Sequence, residues 1–215
     1  VIAARLAGTI AMTAALCGCG GRERTAIAAP SEVQPIAVEA NWRAQVTVAD
    51  RRRLSEWRTA WISALRQARA GGAGDRIDAD ASFYAFDAAL TDPVPPAGDY
   101  RCRTVKLGAK TAGGPGYVAY PFFRCVVSKI GGALTLTKLT GSQRIVGTIY
   151  PDDPTRAVFL GTVALGDEQG AMRYGRDNSR DVAGWIERIG PARWRLVQPY
   201  PAFESTLDVL ELVPA

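Results

Sequence analysis

Leu54, Trp57, Trp61, Leu65 and Ala68 recur at intervals of three and four, the spacing that lays apolar side chains along one face of a helix. Just ahead, Thr47-Val48-Ala49-Asp50 has capping-box spacing, in which the Thr hydroxyl accepts from an orphan amide and the acid reaches back. Gly71-Gly72 follows Arg66 and Arg69 as a stop. The pattern predicts a helix over 48–70 with both tryptophans packed into a core. Residues 75–98, DRIDADASFYAFDAALTDPVPPAG, lose that period and predict only short helical turns. From Tyr100 onward the pattern changes to short β-branched and aromatic runs broken by Gly and Pro, predicting strands at 100–107, 117–129, 134–139, 144–150, 156–165, 182–189, 194–198 and 205–213. Pro121, inside the second run, implies a bend, an edge or a split strand. The short connections favour antiparallel neighbours, and consecutive strands of this number hide their edges best by closing on themselves. The expected fold is mainly β with an N-terminal α-helix (α+β): an antiparallel eight-stranded barrel-like domain of lipocalin or protease-inhibitor outline, with a two-sheet sandwich as the alternative.

Ahead of the helix lies a different texture. One Arg at position 5 precedes an uncharged stretch from Leu6 to Leu16, 11 residues long. A spanning helix needs about 20 apolar residues, so this is the length of a secretory signal. It ends in Leu16-Cys17-Gly18-Cys19, which resembles a bacterial lipobox and makes Cys19 the expected lipidation site. Residues 1–18 are then a lipoprotein signal peptide, 19–46 a flexible tether holding Pro30 and Pro35, and 47–215 a single folded domain with its β region at 100–215. The expected location is the periplasmic face of a bacterial envelope. Gly20 in place of Asp after the cysteine favours the outer membrane.

Composition adds exclusions. There is no histidine among 215 residues, so no Ser-His-Asp or Cys-His pair and no imidazole metal ligand can be built. Of the four cysteines, Cys17 and Cys19 belong to the export segment, which leaves Cys102 and Cys125 to pair in an oxidising compartment. The net charge of +5 is carried mostly by arginine; only Lys106, Lys110, Lys129 and Lys138 are lysines. The densest basic run, Arg51-Arg52-Arg53, is too short for a nucleic-acid tract, and no nucleic-acid partner is expected. Asp78, Asp80 and Ser82 resemble the start of a calcium loop, but Phe83 stands at its turn glycine and Ala89 at its closing glutamate. Gly114-Pro115-Gly116-Tyr117-Val118-Ala119 fits a dinucleotide fingerprint in spacing only, since a strand follows it. No cofactor, metal ligand or catalytic residue is assigned.

The most polar stretch of the β region is 167–181, DEQGAMRYGRDNSRD. Loops carry binding chemistry and Arg offers a planar donor fork, so Asp167, Glu168, Tyr174, Arg176, Asp177 and Arg180 form the candidate ligand-binding loop. Asp167, Glu168, Asp177, Asp181 and Glu187 are the carboxylates an acid/base hydrolase or transferase acting on envelope glycan would need.

The segments PPAGDYRCRTVKLG (95–108), KLTGSQRIVGTIYPD (138–152), FLGTVALGDE (159–168) and RDVAGWIERIGPARWRLVQPYPAFESTLDVLELVPA (180–215), with the helix DRRRLSEWRTAWISAL (50–65), resemble the bacterial family catalogued as domain of unknown function 4893. The resemblance implies an exported single-domain protein and carries over no activity, cofactor or site residue. The resulting expectation is an envelope lipoprotein held to the membrane by its lipid, acting as a non-enzymatic binding module for a small amphiphile or an envelope protein. The glycan hydrolase or transferase and a protease inhibitor are its alternatives.

Overall fold

The computed structural model describes residues 41–215. The expected signal, Cys19 and most of the tether lie outside the described residues. Folded structure begins ahead of the expected boundary at 47. A short helix α1 (Trp42–Gln45) is capped by the Asn41 side chain, and both Trp42 and Val46 are buried.

The expected 48–70 helix is two helices, α2 (Val48–Ser55) and α3 (Trp57–Ala68). The break falls where the Ser55 hydroxyl donates back to the Arg52 carbonyl (2.8 Å), the same oxygen the Glu56 amide uses (3.1 Å). The break splits the apolar stripe. Leu54 packs with Trp42, Val46, Val158, Leu160 and Ala183, whereas Trp57, Trp61 and Ala68 join a separate core. After Ala68 the chain makes a wide π turn (Arg69–Ala73) through Gly72, whose φ of 82° suits glycine, and continues into the one-turn helices α4 (Gly74–Asp78) and α5 (Ala81–Tyr84).

Nine strands follow: β1 (Gly98–Ala109), β2 (Tyr117–Ala119), β3 (Phe123–Ile130), β4 (Ala133–Lys138), β5 (Gln143–Asp153), β6 (Arg156–Leu165), β7 (Asp181–Gly190), β8 (Arg193–Pro199) and β9 (Ser205–Pro214). β3 to β9 pair in sequence order, and β1 pairs with both β3 and β9, closing an eight-stranded antiparallel barrel. The extra strand arises at Pro121, where the expected second strand is split. The Tyr120 amide still reaches the Thr104 carbonyl (3.0 Å), Pro121 has no N–H to donate, and pairing with β1 resumes at Phe123. The expected disulfide is present between Cys102 and Cys125, tying β1 to β3. In the chain-entropy model a loop of this size stabilises by about 3 kcal/mol.

Strand alternation gives the barrel two working faces. Inward, Tyr100, Phe159, Ile186, Trp194, Leu196 and Leu212 pack around the disulfide and fill most of the lumen. Phe159 has room because Gly147 and Gly161 face each other across β5 and β6; a Cβ on either would lie 2.7 Å from the ring. Outward, Val105, Leu107, Val197, Leu207 and Val209 pack against α3 and α5, so β1, β8 and β9 are buried on both sides. Ile189 joins this outer core and Trp185 packs against it half-buried, outside the lumen.

Inside that outer core lies a charged pair. The Arg195 guanidinium, 0% exposed, donates to Glu187 Oε2 from Nε (2.9 Å) and Nη2 (2.7 Å) and to the Phe83 carbonyl (2.6 Å). Arg156 supplies the other Glu187 oxygen (2.7 Å). Glu187→Ala leaves a buried guanidinium unpaired, and we expect a loss of about 3–5 kcal/mol by urea unfolding. Loss of less than about 1 kcal/mol would show the pair to be hydrated and unimportant.

Candidate functional site

The polar loop 167–181 folds onto itself and onto α2. Glu168 takes a bidentate contact from Arg180 (2.8 and 3.0 Å) and the Leu165 amide (2.8 Å), and Arg180 draws its pKa below the usual carboxylate range. Asp177 closes a turn on the Ser179 amide and hydroxyl, which lower its pKa. Tyr174 donates to Asp50 (2.7 Å) and accepts the Thr47 amide (3.2 Å). It thereby supplies the second half of the capping box, since Asp50 Oδ2 meets the Thr47 hydroxyl, not its amide. Burial, then the bond to Asp50, pushes the Tyr174 hydroxyl pKa up. Asp167 and Arg176 are exposed and in no ion pair among the described residues. These six residues do not converge on a common point: four hold the loop's own shape or the α2 cap, and two face solvent. Of the other two carboxylates considered for hydrolysis, Glu187 spans two arginines beneath the helices and Asp181 accepts the Gly175 amide (2.8 Å).

What converges is elsewhere, at the end of the barrel bounded by the β4–β5, β6–β7 and β8–β9 loops. Inward parity on β1 runs Tyr100, Cys102, Thr104, Lys106; register places Lys106 beside Asp208 of β9, and Asp208 beside Gln198 of β8. From the next strands round the barrel come Lys138 at the end of β4 and Gln143 at the start of β5. Together they line a cavity of about 40 Å³, roofed by Pro199, Pro201, Ala202 and Phe203 and reached by Asp181 and Ser179 at its rim. That volume holds roughly three waters.

The two lysines differ. Lys106 donates to Asp208 (2.8 Å) and lies 3.3 Å from Glu204. Burial disfavours its charge, but the two carboxylates outweigh burial and raise its pKa. Asp208, also buried, has its pKa raised by burial despite Lys106 and the Ser205 hydroxyl that donates to it. Lys138, 6% exposed, donates to the Gln143 carbonyl (2.8 Å) and sits 4.4 Å over the Phe123 ring. No carboxylate lies within ion-pair distance of it among the described residues. Burial first, then Lys106 and Arg144, lower its pKa to about 8, with Asp208 opposing. At the rim, burial and then Asp50 raise the pKa of Asp181, whose Oδ2 has no hydrogen-bond partner among the described residues.

Sequence reasoning passed over these residues although a signal was there. Lys138 ends Leu134-Thr-Leu136-Thr-Lys138 on the parity of the two leucines, and Asp208 interrupts a strand apolar on both parities. Each is a charge where the pattern calls for burial.

The family described as domain of unknown function (DUF4893) matches residues 42–212. No curated protein and no solved structure matches the chain.

The Lys138 site has a pH signature. Unfolded lysine holds its proton up to about 10.5 while folded Lys138 releases it near 8, so between these values the unfolded chain binds more protons and stability rises with pH. Below pH 8 the burial penalty is fully present. Lys138→Met should therefore stabilise the domain most at pH 7, and its advantage in urea unfolding should shrink between pH 8 and 10.5. An advantage independent of pH would show that Lys138 keeps its ordinary pKa.

Proposed function

The chain belongs to the DUF4893 family, and from that premise we propose that it is an envelope lipoprotein whose barrel mouth binds a small organic carboxylate. The observation that carries the binding site is Lys138: a buried ammonium with no carboxylate in ion-pair distance among the described residues, facing a cavity that can admit one. Burying an unpaired charge is costly, and an anion placed there supplies the missing partner. Of the cations lining the cavity, Lys106 is paired with Asp208 and Arg53 with Asp50, so the one ammonium left over favours a single negative charge over a phosphate dianion. At about 40 Å³ the cavity takes a compact head group and has no space for an acyl chain. The amphiphile reading thus narrows to a carboxylate with a short apolar part against Phe203 and the roofing prolines. The carboxylates lining the cavity are engaged, Asp208 by Lys106 and the Ser205 hydroxyl and Asp181 by the Gly175 amide, which supports a binding module over a glycan hydrolase.

Support for export comes from two independent features. The Leu16-Cys17-Gly18-Cys19 string follows an apolar stretch of signal length, and the Cys102–Cys125 disulfide suits an oxidising compartment. Lipid attached at Cys19 would give stable membrane anchoring, because each buried methylene contributes about 0.8 kcal/mol.

Two measurements test this. Mass spectrometry of the protein from bacterial membranes should find a lipidated Cys19 at the mature N-terminus; an unmodified residue 19 would remove the anchor. In thermal unfolding, acetate should stabilise the wild-type domain by up to about 2.7 kcal/mol when present at a hundredfold its dissociation constant. Inorganic phosphate should do less, and Lys138→Met should lose the acetate effect. Equal responses in wild type and variant would exclude this site.

A further inference from the structure

The cavity holds two amines of unlike surroundings. Lys106 is tied to Asp208 and Glu204, which keep it charged. The Lys138 amine has one fixed acceptor, the Gln143 carbonyl, lies against the Phe123 ring, and has cationic Lys106 and Arg144 as neighbours. An amine desolvated in an apolar wall and flanked by another cation is the arrangement that activates lysine as a nucleophile.

We propose that Lys138 is a nucleophilic amine that forms a reversible imine with a small carbonyl-bearing carboxylate entering the barrel mouth. This rests on the carboxylate-binding reading of the same cavity and adds the ligand's carbonyl to it. The neutral amine attacks the carbonyl carbon, a C–N bond forms, and a carbinolamine results. The C–O bond then breaks, the oxygen leaves as water carrying the two amine hydrogens, and C=N remains. No oxidant or reductant is required. The geometry supplies selectivity as well as reactivity. Lys129 is exposed at the far end of β3, and Lys110 is exposed at the mouth, bonded to the Pro201 carbonyl. At pH 8 about half of Lys138 is neutral, against about 0.3% of an ordinary lysine.

With four lysines in the chain, the site of attack is directly readable. The disulfide-intact protein is mixed with glyoxylate at pH 8, trapped with cyanoborohydride, digested and mapped by mass spectrometry, alongside acetate stabilisation of the same preparation. The expected result is a secondary amine on Lys138 at tenfold or more the level on Lys129 or Lys110, competed by acetate. Lys138→Arg, which has no amine able to form the imine, should lose the adduct. Acetate stabilisation with an adduct on Lys129 or Lys110 at the level of Lys138, or with none, would overturn the imine and leave the binding site standing. Failure of both arms would overturn both. Circular dichroism of Lys138→Arg guards against reading an unfolded variant as a loss of chemistry.

Discussion

Arg195 carries a charge at 0% exposure, and the architecture is arranged so that this charge is never without partners. It sits on the outer face of β8, pairs with Glu187 of β7, and donates to the Phe83 carbonyl of α5. Its guanidinium stacks 4.6 Å over the Trp61 ring of α3. Arg156 of β6 holds the second Glu187 oxygen. One guanidinium thus fixes the helical layer against three adjacent strands. Burial lowers its pKa and Glu187 opposes that shift. Removing a single partner leaves the others facing an uncompensated charge in a low-dielectric site.

With the helices pinned outside, the lumen is free to be filled from one end. Tyr100, Trp194 and Phe159 crowd the half containing the disulfide, and the facing glycines of β5 and β6 give way to the Phe159 ring. Toward the other end the inward positions turn to Thr104, Lys106, Gln198 and Asp208, whose polar ends pack less densely and leave the small cavity. The chemical asymmetry of the two lysines follows. Lys106 shares a row with Asp208, while Lys138, two strands away on β4, meets a backbone carbonyl and an aromatic face and, among the described residues, no carboxylate within ion-pair distance.

The fold was largely legible along the chain. Period-two runs and short turns specified consecutive antiparallel strands, Pro121 marked where one of them splits, and exclusion of the export cysteines paired Cys102 with Cys125. The break at Glu56 was hidden, because it depends on a Ser55 hydroxyl competing for one carbonyl, and the apolar period continues through it. The site was harder to find. The loop 167–181 drew attention because charge density marks a binding loop and a self-paired loop alike; in the structure Arg180 pairs with Glu168 within the loop and Tyr174 reaches Asp50 of α2.

By itself the sequence determined the strand texture, the disulfide, the absence of imidazole chemistry and the expectation of export, since each depends on residue type or local spacing. The tertiary structure decided which of the two cavity lysines meets a carboxylate and which, among the described residues, does not. Lys106 and Asp208 are 102 residues apart and meet only because closure sets β1 beside β9 in one register. A slip of one residue between these strands would leave Lys106 and Asp208 on opposite faces of the barrel wall. The surroundings of the Lys138 amine are likewise a product of strand order: β3 supplies the Phe123 ring, β5 the Gln143 carbonyl and Arg144, and β1 the Lys106 charge.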